Sequence, residues 1–328
     1  MRFVVRRLGF FAVTLWAAIS LNFMIPRLMP GNPAQVLVAE HPHLNPQALH
    51  SLLALLGGTT HQSLASQYVT YWEHVATFNF GISLTTSFGK SVDAMVYQAL
   101  PWTLGLVGIT TLLAFIFGTF IGLISAWKRG TWLDSALPPI FVVTSAFPYF
   151  WMALLSIYIF SVTLGWFPSE HPYNIFTDSP DLNWHYVGDV LDHAVLPGFT
   201  ILITAIGGWI LTMRNNVITV LSDDYVRMAR AKGLKPWRIM WHYAGKNAIL
   251  PNLTGFAMSL GFIVSGAILV EYVFDYPGVG SLLLQAVNNL DYPLMQALFL
   301  LITMAVLLSV LAADVLTAVL DPRTREQG

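Results

Sequence analysis

The side chains able to do chemistry in this chain are few, and the largest group of them is basic. Asp224-Tyr-Val-Arg-Met-Ala-Arg-Ala-Lys-Gly233 is followed by Lys235, Pro236, Trp237, Arg238, Lys246 and Pro251. Cations mixed with aromatic and apolar residues bind surfaces, either a protein partner or anionic lipid at a membrane face. They break no bonds. Three carboxylates, Glu271, Asp275 and Asp314, lie near the ends of long apolar runs. An ion-coupled carrier would place its proton or cation sites on such acids, but inside the membrane and facing a cavity. The interiors of the apolar runs hold no ionisable residue, so a carrier of that kind lacks its site. Glu271 and Asp275, with Pro277 and Gly278 beside them, are instead candidates for an outer gate or a substrate path.

Other constellations fail on spacing. Gly89-Lys90-Ser91 has the tail of a phosphate-binding loop, but the position that needs the first glycine is Leu84. An intramembrane serine hydrolase needs a His beside its nucleophile, and no His sits well within an apolar run. The H-E-x-x-H pattern of a metallohydrolase is absent. An enzyme is not expected. His41, His43, His50, His61, His74, His171, His185 and His193 fall outside the apolar runs. Imidazole suits nickel, copper and zinc, yet His41-Pro-His43 has no third ligand at a telling spacing. Exclusion of His from lipid accounts for the distribution, and no metal site is expected.

The elements that carry these residues are membrane helices. Of 328 residues, 55% are hydrophobic and 10% charged, and mean hydropathy is +0.63. Soluble domains carry roughly 25% charged residues. A net charge of -1 gives no basic field for nucleic acid, and the lack of Cys excludes disulfides and thiolate sites. Six segments have the required run of roughly 17–25 apolar residues: Gly9–Met29, Leu100–Trp127, Ala136–Leu164, Val195–Leu221, Leu250–Val273 and Leu294–Leu320. Each must be helical, because lipid offers no partner for a free backbone N–H or C=O. The first is too long for a signal-peptide core and is interrupted by Pro26-Arg27, so it reads as an uncleaved helix.

Placing the N-terminus in the cytoplasm puts every Lys and Arg except Arg27 and Lys90 on the inner side. Both termini are then cytoplasmic. Two outer segments are too large to be plain connectors. One spans 30–99, with short helices expected at Pro46–Leu56 and Ser63–Thr77. The other, 165–194, is rich in aromatic and acidic residues, among them Trp166, Tyr173, Trp184 and Tyr186. Ser281–Asn289 reads as an amphipathic helix against the outer mouth, with Pro277 and Gly278 ending the fifth span and Pro293 starting the sixth. Gly118-x-x-x-Gly122 offers a close-packing face, and Pro138, Pro139 and Pro148 should kink the third span. Within the basic loop, Ser222 or Asp223 caps a helix over Asp224–Lys232. Gly233 suits a left-handed C-terminal position, and Pro236 opens a second helix through Lys246 with an apolar stripe of Trp237, Ile239, Met240 and Tyr243.

Four landmarks then carry a resemblance over nearly the whole length. They are Arg6-Arg7 with Pro30-Gly-Asn-Pro-Ala34; Phe80-Gly81 through Leu100-Pro101; Asp224–Gly233 with Asn247-Ala-Ile-Leu-Pro251; and Val273-Phe-x-x-Pro277-Gly-Val-Gly280 with Asp291-Tyr-Pro293 and Leu320-Asp-Pro-Arg323. The chain resembles the B-type inner-membrane permease of ABC importers of the oligopeptide, dipeptide and nickel class. Arg227 and Met228 stand where the general importer consensus has Glu and Ala. Pro251 lies farther from Gly233 than in sugar and amino-acid permeases. Both departures look like the peptide-class variant.

The resemblance implies an all-α, type I importer fold with six transmembrane helices in a prokaryotic inner membrane. It divides the chain into a cytoplasmic tip and first helix (1–29), an external segment (30–99), a five-helix core (100–321) with its coupling loop (222–248), and a cytoplasmic tail (322–328). Tyr225, Ala229, Arg230, Lys232 and Gly233 would contact an ATPase, with Trp237 beside them. The implied partners are a homologous second permease, two ATPase subunits and an external solute-binding protein. ATP and Mg would be bound by those partners and no cofactor by this chain. Gly207-Gly-Trp-x-x-x-Met-Arg-Asn215 and the aromatic 173–186 loop look similar to importers of β-linked oligosaccharides. Oligopeptide is placed first as cargo, oligosaccharide second and nickel third.

Overall fold

The computed structural model describes residues 2–29, 63–176 and 183–320. Among these the chain is helical, with one isolated antiparallel bridge between Ile82 and Ser91. Pro30–Ala34, the helix expected at Pro46–Leu56, four of the histidines (His41, His43, His50 and His61) and the 322–328 tail lie outside the described residues.

The first helices are α1 (Arg2–Leu28), α2 (Leu64–Thr77), α3 (Val92–Trp127), α4 (Trp132–Ala146) and α5 (Tyr149–Thr163). Then come α6 (Trp184–Val220), α7 (Asp224–Ala231), α8 (Pro236–Ala248) and α9 (Leu250–Val264). The last are α10 (Ile268–Val273), α11 (Val279–Asn288) and α12 (Tyr292–Leu320). Four stretches are long and apolar enough to cross a bilayer: Gly9–Leu28, α3, α6 and Tyr292–Thr317. The pairs α4–α5 and α8–α9 qualify only jointly, bent by 99° and 48°, and counting each as one span gives six. At 36 and 37 residues, α3 and α6 are each roughly 54 Å long. That exceeds a hydrocarbon core of about 30 Å, so their ends project beyond it.

Two helix breaks differ from expectation. The third apolar segment runs straight through Pro138 and Pro139 and breaks at Phe147-Pro148. Phe147 is extended, at φ -79 and ψ 136, because the proline ring excludes the helical region for the residue before it. The fifth segment ends at Val264, well before Pro277 and Gly278. There Gly266 turns left-handed at φ 71, and α10 resumes at Ile268.

Glycines set the closeness of the central helices. A Cβ at Gly118 would lie 2.5 Å from the Trp209 Cβ, and one at Gly122 2.5 Å from the Ile210 carbonyl oxygen. The small-x-x-x-small face of α3 is therefore the seam against α6. A Cβ at Gly261 would likewise lie 2.6 Å from the Val306 Cα, so this glycine lets α9 pack against α12. Two buried asparagines bond across the bundle through their amide nitrogens. Asn252 Nδ2 donates to Thr119 Oγ1 at 2.9 Å and to the Trp209 carbonyl at 3.3 Å, joining α9 to α3 and α6. Asn22 Nδ2 donates to Tyr71 Oη and to the Gln296 carbonyl, joining α1 to α2 and α12. Ser63 caps α2 by accepting from the Ser66 N–H, at the start of the helix expected over Ser63–Thr77.

Candidate functional site

The basic loop is two helices joined by a glycine turn and set on the ends of α3 and α6. The Gly233 N–H donates to the Arg230 carbonyl at 2.9 Å and the Leu234 N–H to the Ala229 carbonyl at 3.3 Å. This is the paired C-terminal bond pattern that satisfies a helix's last carbonyls. Gly233 sits at φ 72, and apart from its chain neighbours no described atom lies within 4 Å of where a Cβ would stand. Its glycine is required by conformation, not by space. Pro236 then opens α8, where its missing N–H costs nothing.

Beneath the loop, Val226 and Ala229 of α7 pack with Ile239 of α8. Met240, Ala244 and Ala248 continue that floor against Leu123 and Ala126 of α3 and Met213 and Val217 of α6. The other face is open. Tyr225 is 38% exposed, Met228 58% and Trp237 66%, and Arg227, Arg230, Lys232, Lys235, Arg238 and Lys246 are exposed around them. The one ion pair on this face, Arg227 with Asp224 at 3.8 Å, joins two highly exposed side chains and adds little stability.

The structure sorts the six loop residues read from the sequence. Tyr225, Arg230, Lys232, Gly233 and Trp237 lie on the open face. Ala229, at 3% exposure, faces the bundle and cannot present a surface to a partner; it lets α7 seat closely. The expected apolar stripe is divided in the same way, with Ile239 and Met240 buried and Trp237 outward. Met228 was read only as a departure from consensus, yet it is a main part of the exposed apolar surface, and its flexible thioether suits an adaptable contact.

At the far end of the bundle the acids are enclosed. Glu271 is 0% exposed. Its Oε1 accepts from Thr103 Oγ1 at 2.9 Å, and its Oε2 from the N–H groups of Gly280 at 2.8 Å and Ser281 at 3.1 Å. Those amides are among the first of α11, which have no partner within the helix. A Cβ on Gly266 would come 2.6 Å from the Glu271 carboxylate, and Gly278 and Gly280 leave it similarly little room. Glu271 and Gly278 thus form a latch between α3, α10 and α11, not an exposed gate. The cause is the string of glycines, which lets backbone amides reach the carboxylate.

Asp291 is a second enclosed acid, and the sequence reading assigned it no role. It is 0% exposed. Its Oδ2 accepts from Ser83 Oγ and from the N–H groups of Leu84, Thr85 and Thr86, the last at 3.0 Å. Its Oδ1 caps α12 through the Leu294 N–H. The Leu84–Ser91 segment does resemble a phosphate-binding loop in presenting converging amides, but the anion they hold is the chain's own. An Asp directly before Tyr292-Pro293 was the available sign of a helix cap.

Asp275 and Pro277 remain exposed, beside a cavity of about 740 Å³. Asp275 Oδ2 meets His171 Nδ1 at 2.8 Å. Trp102 stacks on Tyr173 at 6.1 Å and meets Tyr276 edge-on at 5.7 Å. Burial raises the Tyr276 hydroxyl to about 12, so it stays protonated at neutral pH. In Gly207-Gly-Trp, read as an oligosaccharide-importer likeness, Gly207 abuts Phe141 and Ser145 of α4, whereas a Cβ on Gly208 would meet nothing within 4 Å. Further along the same run, Arg214 Nε donates to Asp134 Oδ1 at 2.6 Å. Among the described residues no three His, Asp or Glu side chains gather as metal ligands.

These observations define the class as a multi-pass helical membrane protein whose basic loop packs on the bundle by one face and is open on the other. Residues 118–326 match the family described as binding-protein-dependent transport system inner membrane component. The chain is 34% identical to the di/tripeptide transport system permease protein DppB of Pseudomonas aeruginosa (strain UCBPP-PA14), over 99% of both chains. It is 32% identical to the glutathione transport system permease protein GsiC of Escherichia coli (strain K12), over 99% of both. It is 29% identical to the oligopeptide transport system permease protein AppB of Bacillus subtilis (strain 168), over 98% of both. The chain belongs to the family of binding-protein-dependent transport system inner membrane components, as an ABC importer permease.

Proposed function

We propose that this chain is one half of the transmembrane path of an ATP-driven importer of peptides. In this reading it lies in a prokaryotic inner membrane with six spans, the third made by α4 with α5 and the fifth by α9 with α10, and α8 stands outside the membrane. Both termini and the basic loop face the cytoplasm. A homologous permease completes the path, two ATPase subunits dock on the basic loops, and an external solute-binding protein delivers cargo at the far end. ATP and Mg are bound by the ATPases, and this chain performs no covalent chemistry.

The observation that carries the proposal is the open face of α7 and α8. Its exposed Tyr225, Met228 and Trp237 stand on a floor continuous with α3 and α6. Closing of the ATPases would move the loop, and the loop would move those two helices as a unit. No separate power source is needed within the bundle, since Glu271 is already bonded by its own chain. Peptide cargo is supported by the names of the full-length relatives.

The test is reconstitution of the chain with its second permease, ATPases and binding protein in vesicles. Uptake of di- and tripeptides that requires both ATP and the binding protein is the expected result. ATP-independent uptake driven by a proton or sodium gradient would replace the proposal with a secondary carrier.

A further inference from the structure

The far-end cavity has a lining that none of the preceding roles uses. Lys90 stands on it without an ion-pair partner among the described residues. Asp275 also lines it, its side chain 65% exposed despite the His171 contact. Trp102, Tyr173 and Tyr186 line the same cavity, with Tyr173 and Tyr186 at 5.2 Å between ring centroids. His171 and Asp275 are two of the four non-glycine described residues at positive φ, at 66° and 48°. The His171 N–H is fixed to the Phe274 carbonyl at 2.9 Å. Non-glycine residues avoid this region unless the surroundings hold them there, and such residues gather at ligand-binding positions.

The volume of about 740 Å³ falls within the roughly 300–1,000 Å³ typical of small-molecule sites. The charges narrow the ligand. A bare metal cation would be repelled by Lys90, and a neutral sugar would use neither charge. A molecule with one carboxylate, one ammonium and apolar groups between them would use both charges and the aromatic faces, which also attract ammonium groups. We propose that this cavity is a reception site for a short zwitterionic peptide. Its α-carboxylate meets Lys90, its α-ammonium meets Asp275, and its side chains lie against Trp102, Tyr173 and Tyr186. The assignment rests on the reading of the chain as a peptide-importer permease.

The chain has no Cys, so Gln98→Cys on the cavity wall gives it a single thiol. In the assembled permease–ATPase complex without binding protein, that thiol should react with a membrane-impermeant maleimide, and alanyl-alanine should protect it. N-acetyl-alanyl-alanine amide, which has neither charge, should protect at least tenfold less well. Adding Lys90→Gln or Asp275→Asn should raise the half-protecting concentration of alanyl-alanine by a similar factor. Three results would each overturn the assignment: an unreactive thiol, meaning that a neighbouring subunit fills the cavity; no protection; or equal protection by the blocked peptide. If any of these occurs while the complex still imports peptide with its binding protein, the cavity assignment falls and the transport reading stands. Absence of peptide uptake by the complete system would remove the transport reading itself.

Discussion

The two ends of the bundle treat their polar groups in opposite ways. At the far end, Glu271 and Asp291 are wholly buried and bonded to amides and hydroxyls of distant chain segments. At the loop end, six cations and three large apolar or aromatic side chains stand exposed on two short helices and the turn between them. Buried polar groups that are bonded within the chain fix its shape. Exposed cations beside exposed aromatics do little for a lone chain, yet Trp, Tyr, Met and Arg are the residues enriched in protein interfaces. The far end holds itself together, and the loop end is the one the proposal gives to another protein. Asp134 refines the contrast. It sits near the loop end but is bonded to Arg214, Ser125 and the Gly130 N–H, so it belongs to the scaffold under the loop.

This contrast predicts that substitutions at the far end reduce stability, whereas those on the open face reduce coupling. The largest effect is expected from Glu271→Ala. It strands two buried N–H donors, at roughly 1–3 kcal/mol each, and opens a cavity. A loss of about 4 kcal/mol should appear as a sharp drop in the thermal midpoint of the purified complex; an unchanged midpoint would break the latch reading. Asp291→Ala removes a helix cap and the anchor of the Leu84–Thr86 amides, for about 2–3 kcal/mol. Limited proteolysis should then cut first between Ser83 and Lys90, and protection there equal to that of the unaltered protein would count against the anchor.

Gly233→Val comes next. A β-branched residue in the left-handed region is strained by about 1–2 kcal/mol. Because nothing crowds the position, membrane insertion should be normal while binding-protein-stimulated uptake falls. Full uptake and ATP hydrolysis would remove Gly233 from the coupling turn. The smallest expected change in stability is for Trp237→Ala, within about 0.5 kcal/mol, as for other exposed positions.

Much of this architecture can be read from residue order. Apolar run length locates the spans because lipid allows few alternatives, and Gly118 and Gly122 mark the seam because only small residues permit it. Ser63, Gly233 and Pro236 announce their turns through local conformational rules. What could not be read is bonding between distant segments. Asp291 and its Leu84–Thr86 amides are more than 200 residues apart, and no periodicity connects them. Glu271 looked like a gate because hydropathy places it at a span's end and says nothing of the amides that α11 brings to it. Ala229 looked like a contact because the resemblance implies the same of its neighbours; which side of an eight-residue helix faces inward depends on what lies beneath. Pro148 outranks Pro138 and Pro139 as a break for a similar reason, since a helix held by its neighbours tolerates proline where packing compensates.

The most direct measurement is made on Trp237→Ala in the reconstituted complex, recording thermal midpoint and binding-protein-stimulated ATP hydrolysis on the same preparation. The account predicts a midpoint like that of the unaltered complex and hydrolysis reduced several-fold, because the side chain supports the partner contact and not the bundle. Unchanged hydrolysis, or a loss matched by an equal fall in the midpoint, would contradict the claim that the open face is built for docking.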